Sequence, residues 1–251
     1  MSTLAAPTVA GAAPETPLCR AIRRAVRNAV QVHPVPGFYE PFSAITHLLG
    51  AVTFAIFGAK LLYRARGKAS RVAFLAVFVF SGVFLLSMSG VFHMLRDGST
   101  ARAVLGRLDF AAIFILIAGT HTPIQGLFFR GVSRWLPLVL MWSAAVVGIT
   151  FFSIYYDDLP RGLGTGVFLA LGWIAGASGL VVWKRIGTRH IRLLVGGGLA
   201  YSVGAILMGL GWPTLIPGVV GPHDLWHLAV LSALWMHWHF FYRFARADEV
   251  E

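Results

Sequence analysis

The chain has 251 residues, of which 57% are hydrophobic and only 12% charged, with a mean hydropathy of +0.73. That composition excludes an ordinary water-solvated globular domain, and apolar runs that do not alternate exclude a β-barrel. A net charge of +11 would suit nucleic acid in a soluble protein, but here Lys and Arg fall between apolar runs and face anionic headgroups, so the expected partners are membrane lipids and no nucleic acid.

In chain order, residues 1–38 read as an N-terminal tail. Within it Arg20, Arg23, Arg24 and Arg27 recur at helical spacing beside Ile22, Val26 and Val30, the pattern of a short amphipathic helix lying on the membrane surface. A signal peptide does not fit, because the apolar h-region is missing. Pro34 and Pro36 end the segment. The lone cysteine, Cys19, excludes an intramolecular disulfide and a Cys-rich zinc cluster, so any metal must be held by His and carboxylate.

Residues 39–246 carry seven apolar runs, at 41–63, 72–95, 107–129, 135–154, 163–183, 191–211 and 223–245, each roughly 20 residues and so enough to cross a hydrocarbon core of ~30 Å. Residues 247–251 are a short C-terminal tail. The expected fold is an all-α membrane protein, a seven-transmembrane helix bundle, integral to the plasma membrane (the inner membrane of a bacterium). Glycines within the runs, such as Gly172 and Gly176, are expected to let helices approach closely. An odd number of spans sorts their ends: the entrances of spans one, three, five and seven share a face with the exits of two, four and six.

That parity gathers the polar residues. Glu40, Asp109 and Asp224 fall at the entrances of spans one, three and seven, where the helix dipole alone would favour a carboxylate. His93 ends span two on the same face, with Ser89 one turn deeper on the same side. His223 and His227 open span seven there, four residues apart on one helical face. Ionisable groups at membrane depth are costly enough to be functional by default. Three neutral imidazoles suit Zn²⁺ with an open fourth position, where bound water has its pKa lowered to about 7. Asp109 can then orient that water or accept its proton, and Ser89 can hydrogen-bond a substrate carbonyl. The competing readings are interhelical hydrogen bonding by the histidines and haem ligation.

His121 and His237 cannot share that metal, lying about 18 Å from Asp109 and about 21 Å from His223 along their helices. Packing or lumen hydrogen bonds are their expected roles, and His239 with Trp238 and Tyr242 reads as an interfacial belt. Glu40, Ser43 and His47 are candidates for lining the cavity.

Taken together, Glu40-Pro-Phe-Ser43-Ala-Ile-Thr-His47-Leu-Leu-Gly50, Ser89-x-x-x-His93, the run from Leu108 and Asp109 to Gly119-Thr120, and His223-x-x-x-His227 followed by His237 resemble the hemolysin III group, within the superfamily of progestin and adiponectin receptors and alkaline ceramidases. The resemblance covers nearly all of the chain after residue 38. It implies zinc held by His93, His223 and His227, with Asp109 and Ser89 beside it. It also implies a function between hydrolysis of ceramide-type amides and membrane lipid homeostasis or haemolysis. Ser43 departs from a common Asn, His121 from a common Tyr, and His239 has no counterpart.

Three functions compete. The first is a zinc-dependent hydrolase of lipid amide or ester bonds. The second is a receptor or membrane-state sensor with structural zinc, and the third a pore-forming or haemolytic protein using Asp109, His121 and His47 as a polar path. Orientation is also divided. Arg20, Arg23, Arg24, Arg27, Arg96, Arg102, Arg107 and Arg161 lie on the site-bearing face and the thirteen other cations on the opposite one, which turns the site outward; the resemblance to adiponectin receptors implies a cytosolic site.

Overall fold

The computed structural model describes residues 33–160 and 162–246, so the basic amphipathic segment at 20–30, Arg161 and the tail at 247–251 lie outside the described residues. Among those described, seven long α-helices follow one another: α1 (Pro41–Arg64), α2 (Ala69–Met94), α3 (Thr100–Phe128), α4 (Val132–Ile154), α5 (Leu163–Ile186), α6 (Thr188–Leu210) and α7 (Pro222–Arg243). Six are long and apolar enough to cross a membrane, which makes this a multi-pass integral membrane protein. The helix outside that set is α7, whose 22 residues include four histidines, an aspartate and an arginine.

Local chemistry sets the helix ends. Proline occupies the first helical position of α1 and α7, where a missing N–H costs nothing. The Ser99 hydroxyl accepts from the Arg102 N–H at 3.2 Å and caps α3, as an N-cap serine does. That cap starts α3 at Thr100, one and a half to two turns before the apolar run at 107, so the sequence expectation for this boundary is corrected. The reason is that Arg102 and Arg107 lower the hydropathy of turns that are nonetheless helical. Gly211 at φ 64° stops α6, a left-handed conformation that side chains resist.

The helices close into a ring: α1 packs on α2 and α7, α2 on α3, α3 on α5, α5 on α6, and α6 back on α7, while α4 leans on the outside of α3. One apolar core joins α1, α2, α3 and α7 through Phe54, Phe78, Leu86, Leu116, Leu234 and Phe241. A second joins α3, α4 and α5 through Phe110, Phe114, Phe152 and Phe168. The expected close approach at Gly172 and Gly176 is not found. Nothing lies within 4 Å of a Cβ built at Gly172, and at Gly176 only the neighbouring Trp173 comes near. That surface of α5 belongs to its outward face with Trp173 and Ile174, which are 57% and 62% exposed.

Candidate metal centre

The end of α2, the start of α7 and the residue before α1 meet at one end of the bundle. His93 lies in the last turn of α2, and His223 and His227 are the second and sixth residues of α7, on one face by helical periodicity. The His227 and His223 Nε2 atoms stand 3.0 Å apart, and those of His223 and His93 3.4 Å apart. Ligand atoms of all three rings lie within 4.8 Å of one another. A tetrahedral ion with nitrogens at 2.0–2.1 Å spaces them by about 3.3 Å, so the three rings could hold one metal ion between them. Facing nitrogen lone pairs repel unless a proton or a cation sits among them, which again fits a cation. His93 and His227 are buried, whereas His223 is exposed and gives the centre an open edge.

The surroundings fix the rings. Glu40 pairs with His93 Nδ1 through its Oε2 atom, the carboxylate–imidazole arrangement that orients metal-binding histidines, and its N–H donates to the His93 carbonyl at 2.9 Å. Arg102 donates to the same Glu40 oxygen at 2.9 Å and to the carbonyls of Phe92 and Leu95 at 3.2 and 2.7 Å. Burial by itself would raise the Glu40 carboxyl, but the hydrogen bonds and charges of His93 and Arg102 prevail and hold it at about 2. His47 stacks on His227 with ring centroids 3.9 Å apart and planes 22° apart. Ser43 donates to Asp224 Oδ1 at 2.6 Å, while Asp224 Oδ2 accepts from the Gly221 N–H at 2.9 Å, tying the start of α7 to α1.

Asp109 comes to the same end from α3, beside Ser89 of α2. Because α3 starts at Thr100, Asp109 lies in its third turn, and no acidic residue occupies the first turn of that helix. The helix-dipole account, which falls off within the first turn, therefore does not explain it. Of the three carboxylates at span entrances only Asp224 is in a first turn.

Two neighbours were not singled out by the sequence reading. Arg102 counted there only as a topological charge in a connector, although Ser99 before Thr100 signals a helix start that would have placed it one turn inside α3. Tyr156, just past α4, feels the charge of Asp109. Burial and then the Asp109 carboxylate raise its phenol above the usual range, and its ring lies 5.1 Å beneath the Arg107 guanidinium, which is bonded to Asp157 at 2.6 Å.

The remaining histidines sit elsewhere. His121 approaches Gln125 at 3.1 Å within α3, and Gln125 donates to Ser178 of α5 at 2.6 Å. His237 contacts the Leu194 carbonyl of α6 at 3.1 Å. His239 is half-buried between Trp235 and Trp238.

Comparison with known proteins identifies the family. The model of the family described as haemolysin-III related matches residues 38–238. Hemolysin-3 of Bacillus cereus is 30% identical over 195 residues, covering 77% of this chain and 85% of that protein. The hemolysin-3 homolog of Bacillus subtilis is 30% identical over 200 residues, 77% of this chain and 88% of its own. An adiponectin receptor protein of Drosophila melanogaster is 25% identical over 244 residues, 82% of this chain but only 53% of the longer receptor. With most of its length matched by the family model and by two hemolysin-3 proteins, the chain belongs to the haemolysin-III-related family.

Proposed function

We propose that His93, His223 and His227 hold a zinc ion and that the protein is a hydrolase of amide or ester bonds in membrane lipids, acting in lipid homeostasis of the plasma membrane. The observation that carries this reading is the convergence of three imidazoles, with neighbouring nitrogens 3.0 and 3.4 Å apart and Ser89 and Asp109 arriving from two helices beside them. Zinc on three histidines, when bound, activates water near neutral pH and polarises a carbonyl. The chain's own residues supply the rest. Asp109 accepts a proton at a carboxylate oxygen beside the Ser89 hydroxyl. Glu40 fixes the His93 ring so that Nε2 faces the centre, and Arg102 fixes Glu40. The exposed edge at His223 admits a headgroup from the bundle's end, whereas buried His47, Ser43 and Ser89 close the inner side.

In this reading α7 crosses the membrane as the seventh span. Its 22 residues extend about 33 Å, it packs against both α1 and α6, and its inward polar residues are spent on the site and on the Leu194 carbonyl. A second reading, a receptor or sensor with structural zinc, is favoured by one fact: the ligands come from α2 and α7, so an ion there would clamp the ring shut.

One experiment separates the two. Purified wild type, His227→Ala and Asp109→Asn are compared for zinc per chain and for cleavage of a panel of ceramides and acyl esters. The hydrolase reading expects one zinc per wild-type chain, lost in His227→Ala. It expects Asp109→Asn to keep its zinc while cleavage falls about 10²–10⁴-fold, the usual worth of a general base. A zinc-loaded wild type that leaves the whole panel intact would overturn it. In that case a loss of thermal stability in His93→Ala, with Asp109→Asn unaffected, would establish the structural role.

A further inference from the structure

At the end of the bundle opposite the histidines, the α1–α2 turn and the C-terminal end of α7 enclose a cavity of about 900 Å³. Its wall carries Lys60, Arg64, Arg66, Lys68, Arg71 and Arg246, and no carboxylate among the described residues. A second cavity of about 710 Å³ adjoins it, sharing Arg64 and Tyr242 and adding Arg189 and Arg243.

The cations divide into two groups. Arg71 is buried and donates to the carbonyls of Phe244 and Arg246 at 2.8 and 2.5 Å. Arg64 donates to the Tyr242 carbonyl at 2.8 Å and lies 4.7 Å over that ring. These two guanidinium groups hold the end of α7 and the residues just past it. Lys60, Arg66 and Lys68 are exposed and converge on the same wall, so their mutual repulsion falls when an anion sits among them.

An independent feature says what kind of anion. The cavity runs into an aromatic strip along α1 and α7. Tyr242, part of its lining, stacks on Trp238 with centroids 4.7 Å apart. Phe57 meets Trp235 and Trp238 edge-on at 5.0 and 5.1 Å. The Lys60 ammonium lies 4.8 Å over Phe57, which joins cavity to strip, and Trp235 is 45% exposed. Basic pockets at the ends of spanning helices suit phosphate headgroups, and aromatic rings at the interface suit the glycerol and upper acyl region. A free phosphate would use the cations and leave the strip without a role.

We propose that this end of the bundle is a binding site for an anionic glycerophospholipid, with its phosphate among Lys60, Arg66 and Lys68 and its acyl chains along Phe57 and Trp235. The site is separate from the histidine centre, so it stands whether or not a lipid bond is cleaved there.

The test is a native mass spectrometry titration of delipidated full-length protein in neutral detergent with phosphatidylglycerol, phosphatidylcholine or inorganic phosphate. Phosphatidylglycerol should bind tightly and phosphatidylcholine at least tenfold more weakly, and phosphate should not compete at comparable concentration. Removing three surface cations in the K60Q/R66Q/K68Q variant should weaken phosphatidylglycerol roughly a hundredfold, at about fivefold per cation. Trp235→Ala should weaken it severalfold with all cations present. Equal binding of the two lipids, or a triple variant with wild-type affinity, would overturn the proposal. Full competition by phosphate, or an indifferent Trp235→Ala, would reduce the site to one for a free anion and overturn the lipid assignment. All three substituted cations are exposed, so an unchanged thermal transition checks that folding is intact.

Discussion

Glu40 decides which nitrogen of His93 faces the other two rings. Its carboxylate takes Nδ1 and leaves Nε2 for the centre, and Arg102 stops that carboxylate from swinging out to solvent. Removing the charge while keeping the shape therefore tests orientation rather than packing. In Glu40→Gln, zinc affinity measured by chelator competition should fall about 10–100-fold, the usual cost of losing such a partner, with the fold retained. An unchanged affinity would show that the ring is oriented by α2 alone. In the sequence Glu40 was legible as a carboxylate on the site-bearing face that could line a cavity, but not as the partner of His93, because that partner lies 53 positions away and no periodicity connects an N-cap residue of one helix to the last turn of the next. The histidines were legible for the opposite reason. Their spacing and depth can be worked out within each span, and span parity supplies the remaining coordinate. The stacking of His47 on His227 and the Ser43–Asp224 bond needed the rotation of α1 about its axis, which a helix polar at only a few positions does not specify.

Helix α3 carries the registration of the site, since Asp109 must arrive level with Ser89 on α2. Farther along the same pair, a Cβ at Gly119 would run into the side chain of Ser81, which is fully buried, so the two helices touch backbone to side chain there. Gly119→Val should separate or slide them, lowering stability by about 1–3 kcal/mol as overpacked core substitutions do, while Gly172→Val on the open face of α5 should leave thermal stability near wild type. Melting both variants in one detergent checks the contrast, and equal losses would remove the distinction. Which glycines are contacts was not legible in the sequence. Gly172 and Gly176 have the small-residue spacing of an interface and face outward, whereas Gly119 has no such partner in its own helix. Spacing reports what a helix face could do, and only the ring arrangement says which faces meet. Helix existence was legible throughout, because apolar runs of this length leave few alternatives, and the one misplaced start, that of α3, lay where arginines interrupt the apolar signal.

At the scale of the whole molecule, charge is distributed unevenly between the ends of the ring. Of the cations at the histidine end, Arg102 is only 12% exposed and bonded to Glu40, and Arg107 is bonded to Asp157. At the far end Lys60, Arg66, Lys68, Arg189 and Arg243 border cavities open to headgroups. Cytoplasmic ends retain Lys and Arg near the membrane, so the far end and the C-terminus should lie in the cytoplasm and the histidine centre outside, contrary to what the resemblance to adiponectin receptors implies. If α7 spans, the two termini lie on opposite sides. A fluorescent protein fused after residue 251 should then fold and fluoresce in the cytoplasm of expressing bacterial cells. The only cysteine of the chain, Cys19, should react with a membrane-impermeant maleimide in those intact cells. A dark fusion with a shielded Cys19 would reverse the orientation and place the site in the cytosol. A fluorescent fusion with a shielded Cys19 would put both termini inside, which only an even number of spans allows, and α7 would then have to lie against the bundle without crossing.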